Sequence, residues 1–552
     1  MATSRAQQLS TSANEAPPPR DFVLNSPWST VKAQRNILVV LRTATTVSWF
    51  AELLPDVIAD PRIQITFTID PGSQFQPGVA EYLESLGGRA IPWESATETR
   101  FDLAIAAHRS DGLSRLATPL LILPHGPGYS RTLTQRADPQ IPIPRAHDHR
   151  GITTVMALAS DEDIQHFDRH ALPTVRFEVT GDPCLDALRA SLPARRRYRQ
   201  ALGVNADQTL VVISSTWGPY GALGQNRHII NQVIGSLPSD EYVVASILHA
   251  NIWSLHGDWQ LRLWLRDALA SGLRLISHQK GWRPTIVAAD IVIGDHGSVT
   301  HYASALSIPV VLATAAGTIE LKHNTAFARS HRTNRVFDTK VAADIQIREA
   351  ITNRPLKRTP NQTEASDATP VGSAARIRAL IAELLGIKSE SPHDDSPRVC
   401  DTPTVNFEQA TAHWVHTSID DTNTDHPIVE VQRTPAHGVV GDYTPACSHH
   451  LSARSDCPST RLLNLADVLY DSAQAPTNTE GFPTGRPATL VAAATEAGSF
   501  FYQHGCAPFT VAHRDPDRDV IASAVFALST QQRAWQTVTI RAGDREATAR
   551  RV

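Results

Sequence analysis

The stretch richest in chemistry begins Ala288-Ala289-Asp290-Ile291-Val292-Ile293-Gly294-Asp295-His296-Gly297-Ser298-Val299-Thr300-His301-Tyr302 and continues to Ile308-Pro309-Val310-Val311. It reads as a strand, a Gly/Ser turn, a helix and a second strand. A helix start carries unpaired amide groups and the positive end of the peptide dipoles, so it suits an anion. Gly297 and Ser298 are small enough to let one come close. A diphosphate is the expected guest. The candidate ligand-binding residues are Asp295, His296, Gly297, Ser298, Val299, Thr300 and Tyr302.

Four other turns follow apolar runs. Leu120-Leu121-Ile122-Leu123 leads into Pro124-His125-Gly126-Pro127-Gly128. Glycines leave the backbone open to a ligand, and a histidine can take a proton near neutral pH. The same residues also fit a turn histidine that only bonds backbone. Thr180-Gly181-Asp182-Pro183 is a tight turn in which Asp182 can cap the next helix, and Gly126, Gly128, Gly181 and Asp182 are candidates for a second ligand-contacting edge or a hinge. Ser214-Ser215-Thr216-Trp217 offers hydroxyls and amides to a phosphate and a ring for stacking. Leu248-His249 closes the next run, which makes His125 and His249 the candidate catalytic pair.

These turns need a scaffold, and the apolar runs supply it. Short Val/Ile/Leu runs recur at 37–40, 63–69, 103–105, 120–123, 153–157, 175–179, 210–213, 242–248, 273–276, 291–293 and 310–312, with helix-like stretches between them. That alternation describes buried parallel strands with crossover helices, whose ligands lie beyond the carboxyl ends of the strands. The fold class expected is α/β. Two doubly wound Rossmann-like domains span 31–190 and 200–387, with 1–30 as a disordered tail. Ser373 to Ile387 reads as the closing helix, with Ser373 as its cap and Gly386 as its stop. Residues 388–405 read as a Ser/Pro/Asp-rich linker, and 406–552 as a small accessory α+β domain. Within that domain 411–418 and 428–432 are expected to pair as strands, 433–460 to be irregular, and Asp519 to Trp535 to be a helix before the strand 537–540.

Composition removes several function classes. The 552 residues carry a net charge of −4, with 41% hydrophobic and 19% charged residues. That balance argues against a broadly basic nucleic-acid-binding surface. The longest apolar runs are too short to span a bilayer, so no transmembrane segment is expected, and peripheral membrane association stays open. The first residues lack the apolar core of a signal peptide, and the five cysteines are scattered, so a reducing cytoplasm is the expected location. Cys447, His449, His450 and Cys457 match no standard zinc spacing, and no metal or cofactor is expected. No Gly-x-x-x-x-Gly-Lys-Ser/Thr stretch exists, and Arg42-Thr43-Ala44 follows the first strand in place of Gly-x-Gly-x-x-Gly.

Five motifs in order over about residues 36–387 resemble GT-B-fold nucleotide-dependent transferases. The nearest likeness is to the CDP-glycerol glycerophosphotransferase-like group, which builds teichoic-acid-type polymers. UDP-N-acetylglucosamine 2-epimerase is a more distant relative. His125-Gly126 resembles the family's His-Gly turn, which carries the proposed catalytic base. Thr180-Gly181-Asp182-Pro183 with Asp186 is similar to its Thr-Gly-x-Pro-x-x-Asp stretch at the domain junction. Ser215-Thr216-Trp217 looks like its Pro-Thr-Trp/Tyr turn, and His249 falls where a His-Pro pair closes a strand, with Ala250 replacing the proline. Asp295-His296-Gly297-Ser298 resembles the diphosphate turn. Where many GT-B enzymes carry an acidic residue for the nucleotide ribose, this chain has Tyr302, which can donate one hydrogen bond.

The resemblance implies a metal-independent transferase that uses a nucleotide-diphosphate donor and a hydroxyl acceptor. A non-catalytic GT-B-like binding protein and, below it, a sugar-nucleotide epimerase are the alternatives. Donor, acceptor and oligomeric state are not legible in the sequence.

Overall fold

The computed structural model describes residues 30–58, 60–124, 126, 154–167, 172, 174–322, 325–353, 372–388, 396–420, 426–437, 449–474, 490–495, 498–503, 507–514 and 517–552. Three sheets form among them. The first contains β1 (Arg35–Leu41), β2 (Ile63–Ile69), β3 (Ala90–Ile91), β4 (Leu103–Ala106), β5 (Leu120–Ile122), β6 (Thr154–Leu158) and β7 (Val175–Val179). Its spatial order is β3-β2-β1-β4-β5-β6-β7, and all neighbours are parallel. The second contains β8 (Thr209–Ser215), β9 (Tyr242–Leu248), β10 (Arg274–Ile276), β11 (Ile291–Gly294) and β12 (Val310–Leu312). It is ordered β10-β9-β8-β11-β12 and is again all parallel.

The central strands read as Val/Ile/Leu runs because helices cover both of their faces, whereas β2 and β7 keep exposed residues such as Gln64 and Arg176. In each, the chain first winds one way and then restarts on the other side of the opening strand. The switch point falls between β1 and β4 in the first sheet and between β8 and β11 in the second. Crevices open at such points, beyond the carboxyl ends of the strands.

The helix Ser373–Leu385 follows the second sheet in sequence yet packs on the first. Its Ile377, Leu380, Ile381 and Leu385 share a core with Val47, Phe50 and Leu54 of the helix Ala44–Val57. Gly386 ends it in the left-handed region, as expected, with φ 61°. The start differs from expectation. Gly372 is the cap residue, and Ser373 instead gives its backbone N–H to Asp186 Oδ2 at 2.8 Å. The stretch after residue 395 is anchored to the second domain: Tyr198 donates its hydroxyl to Cys400 O at 2.6 Å, and Arg274 lies 3.8 Å from the centre of the Phe407 ring.

The C-terminal region, expected as a small α+β domain, combines helices with a closed barrel. Its strands are β13 (Ala412–Asp420), β14 (Ile428–Pro435), β15 (His449–Arg454), β16 (Val468–Gln474), β17 (Leu490–Thr495), β18 (Gly498–Gln503), β19 (Phe509–His513), β20 (Thr537–Ala542) and β21 (Arg545–Arg551). β15 lies within a stretch read from sequence as irregular. Cys447 and Cys506 lie outside the described residues. Among the zinc candidates, His449 sits against His416, His450 against Phe526, and Cys457 is buried in a small apolar cluster.

The helix Arg518–Thr530 is buried at every position from Asp519 to Val525. A run of that length covers all sides of a helix, so no face is left for solvent. The helix packs against strands from around the barrel, including β13, β14, β16, β17 and β20. The barrel wraps it. Its small residues, Ala522, Ser523, Ala524 and Ala527, let the surrounding strands approach. It stops at Thr530, short of the Trp535 end read from sequence.

A buried charge network joins the barrel to the second domain. Arg433 of β14 reaches Asp240 at 2.6 Å, Asp517 at 2.7 Å and Asp519 at 3.0 Å. Arg545 adds a contact to Asp240 at 2.5 Å, and His413 Nδ1 stands 2.9 Å from Asp519. Ser452 also donates to Asp519. Burial would raise the Asp519 carboxyl, but His413 and Arg433 more than offset it and hold it far below the usual range. No helix among the described residues is long and apolar enough to cross a membrane.

Arg433→Met should therefore leave buried carboxylates without their partner and cost about 3–5 kcal/mol in chemical denaturation. Arg433→Lys should recover only part of the loss, because an ammonium lacks the planar fork.

Candidate functional site

The centre of the second sheet's carboxyl edge is held by one carboxylate. Asp295 is fully buried just past β11. It accepts backbone N–H bonds from Thr216 at 2.8 Å, Ala222 at 2.7 Å and Gly297 at 2.9 Å. Burial pushes its pKa up, and His296 and the three amides pull the other way. Thr216 follows β8, so this acid stitches together the turns on either side of the switch point. Ser215 reinforces the stitch: its hydroxyl donates to Thr216 O at 2.9 Å and accepts from Leu223 N at 3.0 Å. Ser214, Ser215 and Thr216 are all buried.

The neighbouring candidates are also used in construction. His296 Nε2 lies 2.8 Å from Glu320 Oε2, with both side chains buried. Gly317 crosses the His296 ring, and a Cβ there would stand 1.8 Å from Nδ1. Thr300 is buried and turns toward β11, where a Cβ on Gly294 would come within 2.3 Å of Thr300 Oγ1. Val299 is half-buried and packs against the core beneath the sheet. Gly297 caps the helix Ser298–Ala305 in extended backbone, with no side-chain capping bond to the first amides. Thus the side chains shape the turn, and the helix start offers its backbone.

Tyr302 departs from the sequence reading. It is fully buried, and its hydroxyl donates to Asp182 Oδ2 at 2.8 Å instead of facing the donor side. Asp182 caps the helix Pro183–Ala190, accepting from Cys184 N at 2.8 Å and Leu185 N at 3.2 Å. Burial raises the Asp182 pKa to about 6 against the pull of Tyr302 and the amides. Gly181 precedes it at φ 88°. Nearby, Arg283 pairs with Glu52 at 2.5 Å, which ties the second domain to the first helix of the first domain. The Gly181-Asp182 turn is therefore part of the joint between the domains.

His249 also takes a structural position. It follows β9, its N–H bonds Ser215 O at 3.0 Å, and its Nδ1 accepts from Asn251 N at 3.1 Å as a helix cap. His125 and Gly128 lie outside the described residues. Gly126 is described, at φ 105°, and a Cβ on it would stand 3.8 Å from Ser298 Cβ. The turn after β5 of the first sheet therefore meets the helix start of the second. Elsewhere Phe75, in the loop after β2, makes an edge contact with Trp217 at 5.0 Å. Ser48 and Tyr82 donate to Gln279 O at 3.1 Å and 3.2 Å. These contacts bring the carboxyl edges of the two sheets together.

The motif reading passed over Glu320, Gly317 and the group Arg42, Asp70 and His108. Asp70 and His108 also follow strands, so the same strand-end rule points to them.

No family model matches the chain, and no curated protein matches it. Solved structures do resemble it. One is S. aureus MnaA with UDP, at 12% identity and TM-score 0.40, over 65% of this chain and 100% of that one. Another is the wall teichoic acid polymerase TagF, at 12% identity and TM-score 0.39, over 64% and 90%. A third is UDP-GlcNAc 2-epimerase from Neisseria meningitidis bound to UDP-GlcNAc, at 14% identity and TM-score 0.40, over 64% and 100%. Likenesses this distant assign no role to any residue here.

Tyr302→Phe should cost roughly 1.5–3 kcal/mol, the worth of a hydrogen bond to a buried carboxylate. The folded-state pKa of Asp182 lies above its unfolded value, so this group's contribution to stability is present at low pH and lost as pH rises through about 6. The penalty of Tyr302→Phe should accordingly be larger at pH 8 than at pH 5 in denaturant titrations. A ligand contact would instead weaken nucleotide binding and leave stability alone.

Proposed function

We propose that this chain is a metal-independent GT-B-type transferase, moving a glycerophosphoryl or glycosyl group from a nucleotide-diphosphate donor to a hydroxyl acceptor. The observation that supports it most is the meeting of Gly126 with Ser298 at the cleft. It brings the turn that follows His125 in sequence to a helix start suited to a diphosphate. In this reading the amides of Ser298, Val299 and Thr300 hold the diphosphate, and the Ser214–Thr216 turn and His249 flank it. His296 and Asp295 keep the turn in shape. Tyr302, Gly181 and Asp182 serve the joint, and Gly126 and Gly128 give the acceptor room.

In the reaction, His125 takes the proton of the acceptor hydroxyl, the alkoxide oxygen attacks the donor, and the nucleotide leaves carrying the electron pair of the broken bond. Fixed amides meet the negative charge that develops on the leaving phosphate. Closure of the two domains keeps water from competing. The site of action would be the cytoplasm.

The test is nucleotide release from CDP-glycerol and a panel of nucleotide sugars, with product analysis that would also reveal epimerised sugar. His125→Ala should lower turnover about 100-fold or more, the usual worth of a general base. Full turnover by that variant removes His125 as base. Asp295→Asn should weaken nucleotide binding at least about tenfold, because one amide-accepting oxygen becomes a donor facing other donors. A binding-only protein, which the engagement of Tyr302 with Asp182 favours, would bind nucleotide in calorimetry without releasing product from any donor.

A further inference from the structure

A polar cluster lies at the carboxyl edge of the first sheet, apart from the turns discussed above. Arg42 follows β1, Asp70 follows β2, and His108 and Ser110 follow β4. Asp70 Oδ2 accepts from Arg42 Nη1 at 2.5 Å and from Ser110 Oγ at 2.5 Å, and it stands 2.9 Å from His108 Nε2. Parallel register makes this convergence. Asp70 N donates to Leu41 O at 2.8 Å, so β1 and β2 end together, and β4 ends beside β1. The cluster straddles the switch point of its sheet. Gly112 closes over it, where a Cβ would stand 2.5 Å from Asp70 Oδ1.

The His108 side chain is only 8% exposed. A carboxylate can only accept, so Nε2 must carry the ring proton and Nδ1 is left as an acceptor. That Nδ1 is buried and has no hydrogen-bond partner among the described residues. Burial lowers the His108 pKa against the pull of Asp70. Burial would raise Asp70, but the bonds from His108 and Ser110 and the charge of Arg42 keep it below the usual range. Near neutral pH the cluster therefore holds one negative carboxylate, one positive guanidinium and a neutral ring. Its formal charge is zero. A buried acceptor left unmade costs about 1–3 kcal/mol, and such a group in a folded protein calls for an explanation.

The position supplies one. Leu123 N, at the end of β5, donates to Ala106 O of β4 at 2.8 Å, so the end of β4 lies beside the turn that carries Gly126 to Ser298. On the other flank, the loop leaving Asp70 carries Phe75 to Trp217. The cluster thus lies between two of the places where loops of the first sheet touch the second domain.

We propose that His108 Nδ1, oriented by Asp70, binds a hydroxyl group of a neutral polyol or sugar held against the first sheet. A bare acceptor in a cluster of zero net charge selects an O–H donor. An ionised carboxylate or phosphate brings no proton and a charge that nothing balances. Asp70 and Ser110 are positioning residues, acting through His108. The ligand's part as acceptor substrate rests on the transferase reading, but its binding does not.

The test is long-range proton–nitrogen correlation spectroscopy of the histidine rings in the full chain. Glycerol and, separately, N-acetylglucosamine are added in concentration series, with and without CDP or UDP. His108 is assigned by its absence in His108→Phe. The expected result is an Nε2–H ring whose Nδ1 signal moves on addition of at least one of the two. Affinity, read by calorimetry because these variants lack the ring signal, should fall about tenfold in His108→Phe, the worth of one buried hydrogen bond, and recover in part in His108→Asn, whose Oδ1 falls near the Nδ1 place. Asp70→Asn should let the ring take the opposite tautomer and abolish the polyol-induced shift. An Nδ1–H ring in the native chain, or a His108 signal that neither compound moves, overturns the proposal. Nucleotide binding with an unmoved His108 sinks this inference alone. A shifted His108 without nucleotide binding supports it and sinks the transferase reading.

Discussion

One buried carboxylate collects three backbone N–H groups at the end of β11, and the shape of the second domain's cleft edge depends on it. Asp295 has no water to solvate its charge, so those amides must do so. In return it fixes two turns that lie far apart in the chain. Thr216 and Ala222 follow β8, and Gly297 opens the helix Ser298–Ala305. With these turns fixed, the first amides of that helix have a defined direction. His296, Glu320 and Gly317 then brace the turn from behind. The side chains that look most chemical in the sequence are thus largely spent on holding backbone in place.

The joint between the two Rossmann-like domains follows the same logic. Tyr302 satisfies Asp182, Asp182 caps a helix, and Asp186 holds the start of the helix Ser373–Leu385. That last helix returns to the first core, so the chain crosses between the domains more than once. Arg283 and Glu52 add a charged link. The Tyr302–Asp182 and Arg283–Glu52 links join polar groups across the joint. Apolar packing crosses the joint as well: Ala250 sits in the first core, and Leu185 and Leu188 pack in the second.

The barrel is attached by different means. Arg433 is surrounded by three carboxylates, one of them from the second domain. Such a network contributes little net stability compared with apolar packing, but breaking it is costly, so it fixes one docking geometry. Inside, the apolar helix Arg518–Thr530 takes the place that side chains alone fill in smaller barrels.

Much of the fold was legible because strands buried on both faces must be apolar along their whole length. The run at 242–248 matches β9 to the residue, and all seven of its residues are buried. The two-residue strand β3 left no such run, and the barrel escaped because closure depends on pairings that local pattern does not encode. The strand-end rule located the Asp295 turn, since a parallel sheet exposes its strand ends wherever helices cover its faces. It could not say that Tyr302 points at Asp182, because that direction comes from packing between helices 120 residues apart. Nor could it join Asp70 to His108, which stand 38 residues apart and meet only through parallel register. By itself, then, the sequence determined the alternation of strand and helix and the positions of the turns, which are local properties of apolar runs and glycines. Only the tertiary structure decided which polar groups brace the fold and which remain open to a ligand, because a hydrogen bond made to one partner is no longer available to another.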